Sequence, residues 1–336
     1  MANTIALPDQ VPRVRRGRSW RALLARRVLL GILTLWLVTL VVFAATQALS
    51  GDAATALLRQ TATPERLAAF REQLHLDEPV WRQYTAWLTG VVTGDAGESF
   101  ATRQPVAQLL GGRLVNSVVL VAASAVVAVP LSIGLGLLSG LYRDRAVDHL
   151  TAVGSLLLAA IPEFVLAMGL VLLFATAVFQ VFPAVTLLPP GEPIAAHPQF
   201  LVLPTATLIL AVVPYMSRIM RASVIEVLES EYVRMARLKG MSRRVVLLRH
   251  VLPNAIVPSI QVTALQLAWL AGGVVVVEFV FRYPGVGQAL VDAVANRDIP
   301  VVQAVTLLIG AAYVGLNLIA DVLTILATPR LRTAER

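Results

Sequence analysis

Six apolar blocks, each long enough to cross a bilayer, constrain this chain more than any other feature. They cover residues 28–49, 118–141, 151–181, 200–216, 255–280 and 302–327, and a membrane-spanning helix takes about 20 apolar residues. The first block holds no charge. The third is longer than a straight span needs and carries Pro162, which predicts a tilt or a kink. The fourth is short and carries Pro204 and Pro214, so the pattern leaves its ends open. Strands of a membrane barrel would be shorter and would alternate polar with apolar residues, which these blocks do not. Composition agrees: 57% of the residues are apolar and 14% charged, against about half and a quarter in soluble domains. The expected class is an all-α polytopic membrane protein with six transmembrane helices.

Charge orients the bundle. With a cytoplasmic N-terminus, the inside segments 1–27, 142–150, 217–254 and 328–336 hold 20 of the 28 Lys/Arg, and the outside segments 50–117, 182–199 and 281–301 hold 8. The positive-inside rule therefore predicts N-in and C-in. The net charge of +8 is mostly this topology signal. A nucleic-acid partner would need a basic face on a soluble fold, and none is expected. Arg13, Arg15, Arg16 and Arg18 before the first block could belong to a signal peptide. That block spans some 22 residues, longer than a signal core, and no clear A-x-A site follows, so it reads as a retained helix. The basic tail over 1–21, with Pro8 and Pro12, reads as disordered and suited to anionic lipid headgroups. The absence of cysteine rules out disulfide and thiol chemistry.

The outside segment 50–117 is too long for a simple connection. Thr63-Pro64 is a helix-start signal, with Leu67, Phe70 and Leu74 following at helical spacing. A second short helix is expected from Pro79 through Trp81, Tyr84, Trp87 and Leu88, and then a turn at Gly94-Asp95-Ala96-Gly97. This reads as a small helical cap. Within the second block, Gly136-x-x-x-Gly140 is a spacing that lets two helices approach closely, and packing is the expected reason.

The inside segment 217–254 is long enough for helices of its own. Glu229, Glu231, Arg234, Arg237, Lys239, Arg243, Arg244 and Arg249 make it highly charged. Val233, Ala236 and Gly240 lie at i, i+3 and i+7, a small-residue face suited to a partner's groove. Gly240 also suits a helix C-terminus, and Leu252-Pro253 marks a break before the fifth block.

These residues resemble the permease family of ATP-binding-cassette importers, type I fold. That family's loop reads Glu-Ala-Ala, three residues, Gly, nine residues, Ile, one residue, Leu-Pro. Aligned on Gly240, Ala236 matches the second alanine, and Leu252 and Pro253 match the closing pair. Arg234, Met235 and His250 replace the glutamate, the first alanine and the isoleucine. The fuller string Glu231-Tyr232-Val233-Arg234-Met235-Ala236-Arg237-Leu238-Lys239-Gly240 looks like the dipeptide, oligopeptide and nickel branch. So do Leu49-Ser50-Gly51-Asp52, Leu76-Asp77-Glu78-Pro79, Gln83-Tyr84, Trp87, and Gly94-Asp95-Ala96-Gly97-Glu98-Ser99. The region Glu278 to Gln303, with Tyr283-Pro284-Gly285-Val286-Gly287 and Asn296-Arg297-Asp298, extends the likeness, as do Asp321 and Pro329-Arg330.

The resemblance implies a bacterial inner-membrane permease subunit that forms half of a translocation path for di- or oligopeptides. It implies a second homologous permease chain, two ATP-binding subunits carrying ATP and Mg, and an extracytoplasmic substrate-binding protein. It also implies an organisation: tail over 1–21, first span and outer segment over 22–112, permease core over 113–329, and C-terminal tail over 330–336. Glu231, Tyr232, Val233, Arg234, Ala236 and Gly240 are then the expected contacts to the ATPase. The chain's only lysine, Lys239, precedes Gly240 instead of following a glycine and preceding Ser or Thr, so no P-loop of its own is expected. Relatives handling nickel complexes or other small solutes share these strings. The rival class is an ion-driven secondary transporter, which would leave 217–254 without a task.

Two intramembrane acids stand out. Glu163 follows Pro162 inside an apolar block; it reads either as a path-lining group for a peptide amino end or as a residue reaching interfacial water. Glu278 near the end of the fifth block reads either as part of an outer gate or as a partner of Arg282. His75, His149, His197 and His250 fall in four different segments, so no metal site is expected, and no catalytic cluster is seen.

Overall fold

The computed structural model describes residues 20–48, 78–189 and 192–327. The tails, the string at 49–52, the expected helix start at Thr63 and His75 lie outside the described residues. The helices run in order as α1 Trp20–Ala48, α2 Val80–Thr93, α3 Val106–Leu141, α4 Ala146–Ala160 and α5 Glu163–Val171. They continue as α6 Gln199–Glu229, α7 Glu231–Leu238, α8 Arg243–Val246, α9 Leu252–Val280, α10 Val286–Ala295 and α11 Ile299–Ala327. Among the described residues, five helices are long and apolar enough to cross a membrane, or six spans if the bent pair α4–α5 is one.

The bend is sharper than the expected kink. Helices α4 and α5 meet at 101°. Ile161 takes φ −88°, ψ 126° and Pro162 takes φ −58°, ψ 144°, both off the helical region. Proline pushes the preceding residue to extended backbone, so one helix ends and another begins at Glu163.

The fourth block is nearly twice the expected length, a helix of 31 residues. The apolar run stops near 216, and 217–229 carries Arg218, Arg221, Glu226 and Glu229. The structure continues α6 through all of it, with Pro204 and Pro214 inside the helix. Packing explains this: Val213, Met216, Ser217, Met220, Ser223 and Val224 form a buried face at helical spacing, and the charges sit elsewhere.

That face meets α3, the most extensive helix pair in the bundle. Leu120, Ser124, Ala128, Ser132, Gly136 and Gly140, every fourth residue of α3, are buried along it. Ser124 and Ser132 donate to the carbonyls of Leu120 (2.8 Å) and Ala128 (2.7 Å), so their hydroxyls are satisfied without a partner helix. A Cβ on Gly136 would lie 2.5 Å from Met220 Cβ and 2.6 Å from the Ser217 carbonyl oxygen. One on Gly140 would lie 2.7 Å from Val224 Cγ1. The glycine pair is a packing device, as its spacing suggests. Gly136→Leu is expected to destabilise the fold by about 1–3 kcal/mol or more through overpacking. Gly134→Ala, which meets nothing within 4 Å, should stay within about 0.5 kcal/mol. Thermal melting of the detergent-solubilised protein compares them.

Three apolar clusters stack along the bundle. One, around Val106, Leu110, Val286, Ala289 and Val305, lies at the Ala48 end of α1. The central one includes Leu120, Leu208, Val212, Leu270 and Tyr283. The third, around Met220, Val224, Val233, Ala236, Val246, Val251 and Ala255, closes the opposite end. At that end Arg27 of α1 pairs with Asp321 of α11 at 3.0 Å. Many large apolar side chains, among them Leu29, Val41, Val126 and Leu150, remain exposed on the outside of the bundle, as lipid contact requires.

At the Ala48 end, α2 lies across α1. Phe43 packs edge-on against Tyr84 and stacks on Trp87, with centroids 5.3 and 6.0 Å apart. Thr39 Oγ1 meets the Tyr84 hydroxyl at 2.9 Å, and Gln47 donates to Gln83 at 2.8 Å. The aromatics expected in a cap are therefore its anchor to the first span.

Candidate functional site

Helix α7 is the short charged helix at the end opposite the cap. Ser230, with extended backbone, starts it, and its hydroxyl donates to the Val227 carbonyl at 2.5 Å. The helix closes with Gly240 at φ +77°. The Gly240 N–H donates to Arg237 O (3.0 Å) and the Met241 N–H to Ala236 O (3.3 Å). This is the paired termination that calls for a left-handed residue. Nothing lies within 4 Å of a Cβ built on Gly240. Backbone conformation, not room for a neighbour, selects glycine within this chain.

The small-residue face of α7, expected to turn outward, turns inward. Val233 and Ala236 are buried in the chain's own third cluster. They hold α7 to α6, α8 and the start of α9. The outward surface is Tyr232, Met235 and Leu238, at 45%, 52% and 76% exposure. Around it, Glu231, Arg234, Arg237, Lys239 and Gly240 are also exposed, with Arg234 3.9 Å from Glu231. The sequence missed this because small residues suit either an internal or an external contact; the inward choice follows from the buried face of α6 beneath them.

Glu278 is fully buried, with its carboxylate at the start of α10. Its Oε2 accepts the backbone N–H groups of Gly287 (2.6 Å) and Gln288 (3.2 Å), in the first turn of α10. Its Oε1 accepts the Ser117 hydroxyl at 2.5 Å, and Ser117 Oγ in turn accepts the Val286 N–H at 2.9 Å. A carboxylate at a helix N-terminus satisfies orphan donors and the helix dipole. No ion pair joins it to Arg282 among the described residues. A Cβ on Gly285 would fall 2.1 Å from Glu278 Oε1, and one on Gly287 2.5 Å from Val275 Cα. The Gly285-Val286-Gly287 string is the cradle of this carboxylate. Tyr283 donates its hydroxyl to Asn116 O (2.7 Å), and Asn116 donates to Pro284 O (2.9 Å). Burial, and secondarily Glu278, push the Tyr283 phenol above its ordinary pKa, keeping it a donor.

Two strings far apart in sequence meet nearby. Asp298 accepts the Ser99 hydroxyl and the Phe100 N–H (3.0 Å), so the turn after α2 is bound to the start of α11. Gln303 donates to Thr46 at 2.9 Å, tying α11 to α1.

One cluster was missed by sequence reading. Asp148 in the first turn of α4 is buried and takes a two-point contact from Arg221 of α6, at 2.6 and 2.7 Å. Ser139 of α3 donates to it at 2.5 Å and the Asp144 N–H at 3.0 Å. The three helices are joined at one point. A lone Asp and a lone Arg 73 residues apart leave no periodic signal.

Glu163 opens α5 at the break, half-buried with its Oε2 beside Gly273 of α9. Its Oε1 has no hydrogen-bond partner. Among the described residues no group of three His, Cys, Asp or Glu could hold a metal.

The fold and these sites define a multi-pass membrane protein with a short charged helix exposed at one end and a tied cap at the other. Residues 132–333 match the family described as binding-protein-dependent transport system inner membrane component. Residues 21–121 match the N-terminal region of such membrane components. The chain belongs to this family, and it is a multi-pass inner-membrane protein. It is 35% identical over 311 residues to a probable peptide ABC transporter permease protein, y4tP, of Sinorhizobium fredii, covering 91% of this chain and 98% of the relative. It is 36% identical over 305 residues to the glutathione transport system permease protein GsiC of Shigella flexneri, covering 90% and 97%. GsiC of Escherichia coli is equally similar. Members of the family work with ATPase and substrate-binding partners and are not themselves catalytic.

Proposed function

We propose that this chain is a permease subunit of an ATP-binding-cassette importer for small peptides. In the proposed assembly it pairs with a second permease chain, two ATPase subunits carrying ATP and Mg, and an external binding protein. The single observation that carries the mechanism is α7: a short helix fastened inward by Val233 and Ala236, with Tyr232, Met235 and Leu238 turned out at the end opposite the cap. That apolar face, ringed by charge, suits a groove on an ATPase subunit.

Closure of the ATPase pair then moves α7 as a rigid body. The motion passes to α6 and α9 through the shared cluster of Met220, Val224, Val251 and Ala255. ATP shifts the equilibrium only by its different affinity for the two states. The outer contacts, Glu278 on α10 and Asp298 on the turn after α2, keep the far end of the bundle a single body, so the displacement opens one end at a time. The test is reconstitution in vesicles with the candidate partner chains. ATP-dependent uptake of a labelled dipeptide or of glutathione is expected, and only with the ATPase subunits present. Uptake driven by an ion gradient without them would overturn the reading.

A further inference from the structure

We infer that the Glu163 carboxyl, unpartnered at the break between α4 and α5 and set against Gly273 of α9, receives the cationic amino group of a passing peptide. The inference rests on the peptide-importer reading and adds a specificity residue to it.

Other acids set into the bundle are held by donors of the chain itself. Glu278 is held by Ser117 and two backbone N–H groups. Asp148 is held by Arg221, Ser139 and a backbone N–H. Asp298 is held by Ser99 and Phe100. Each has a structural task that accounts for it. Glu163 has no donor among the described residues, and its Oε1 is shut away from solvent. An acid inside a span is costly and marks a functional position by default.

Its surroundings point to a small cationic ligand. Gly273 keeps the wall of α9 back: a Cβ there would stand 3.3 Å from Glu163 Oε2, and one on Gly272 would meet nothing within 4 Å. Trp269, about half exposed, also borders Gly273. A single carboxylate between apolar walls cannot satisfy a metal ion, which takes several oxygen or nitrogen ligands. An ammonium group, a single cation with three donors, suits one carboxylate. The position is also suitable. Gly273 precedes Glu278 by five residues on α9, so Glu163 lies about 7–8 Å along the helix axis from the Glu278 level. Breaks in membrane helices are where transporters commonly place substrate groups.

The experiment uses the complete importer in vesicles, with binding protein and substrate both saturating. Two probes are compared, a dipeptide with a free amino terminus and the same dipeptide N-acetylated. Because the binding protein is a separate chain, a change in the uptake ratio between variants belongs to this subunit. Glu163→Gln is expected to lower uptake of the free-amine probe roughly tenfold, the loss of one charge-assisted hydrogen bond, and to leave the acetylated probe unchanged. Glu163→Asp should restore most of the preference. An equal fall for both probes would overturn the inference and point to a structural role or to a basic residue of the second permease subunit. An unchanged ratio would overturn it as well. Wild-type vesicles that import neither probe would overturn the peptide reading itself, and the assignment with it.

Discussion

Glu278→Ala is expected to remove about 3–5 kcal/mol of stability, because it strands two buried N–H groups and the Ser117 hydroxyl in an apolar setting at about 1–3 kcal/mol each. Against a typical total of about 5–15 kcal/mol, that is enough to cut the yield of folded protein severely. Glu278→Gln should lose less than half as much. Its amide oxygen can still accept from Gly287 and Gln288, and its NH2 can donate to Ser117, whose oxygen has a second lone pair. Gly285→Ala should resemble Glu278→Ala, since the added methyl falls on the carboxylate. Thermal melting and protease protection in detergent rank the three. If Glu278→Ala melts like the wild type but abolishes transport, the residue acts as a gate and the capping role is wrong.

The second large effect concerns transport without loss of fold. Met235→Glu and Leu238→Glu place a charge on the exposed apolar face of α7 while leaving Val233 and Ala236 in their cluster. Uptake is expected to fall roughly thirtyfold, as for truncation of an interface anchor worth about 2 kcal/mol. Insertion and melting should match the wild type. Val233→Glu should do the opposite and unfold the Trp20 end of the bundle before any docking is tested. Equal transport by the Leu238→Glu variant and the wild type, at equal membrane levels, would remove α7 from the coupling path.

Much of this was legible in the residues, and the failures have physical reasons. Spans could be found because lipid demands long apolar runs, and the glycine pair at 136 and 140 because close approach demands a fixed spacing. The end of α6 was hidden, since its last turns carry arginines and glutamates on one face and bury the other; average polarity conceals a one-sided helix. The break at Pro162 was expected as a kink, but its 101° angle depends on which helices the two halves pack against. Charge and length marked α7 as a helix, yet the small-residue face expected to turn outward turns inward. Glu278 was singled out as an intramembrane acid, but its donors come from α3 and α10, remote in sequence. Asp148 and Arg221 escaped altogether, because an isolated pair has no pattern to read.

The chain contains no cysteine, so the position of α7 can be tested with a single substitution. Leu238→Cys in intact cells should resist a membrane-impermeant thiol reagent and should react once the membrane is opened. In vesicles holding the whole importer, it should cross-link to an ATPase subunit, with a yield that changes when ATP is added. Labelling of Leu238→Cys from outside intact cells, or a cross-link yield to the ATPase subunit of zero in every nucleotide state, would contradict the account.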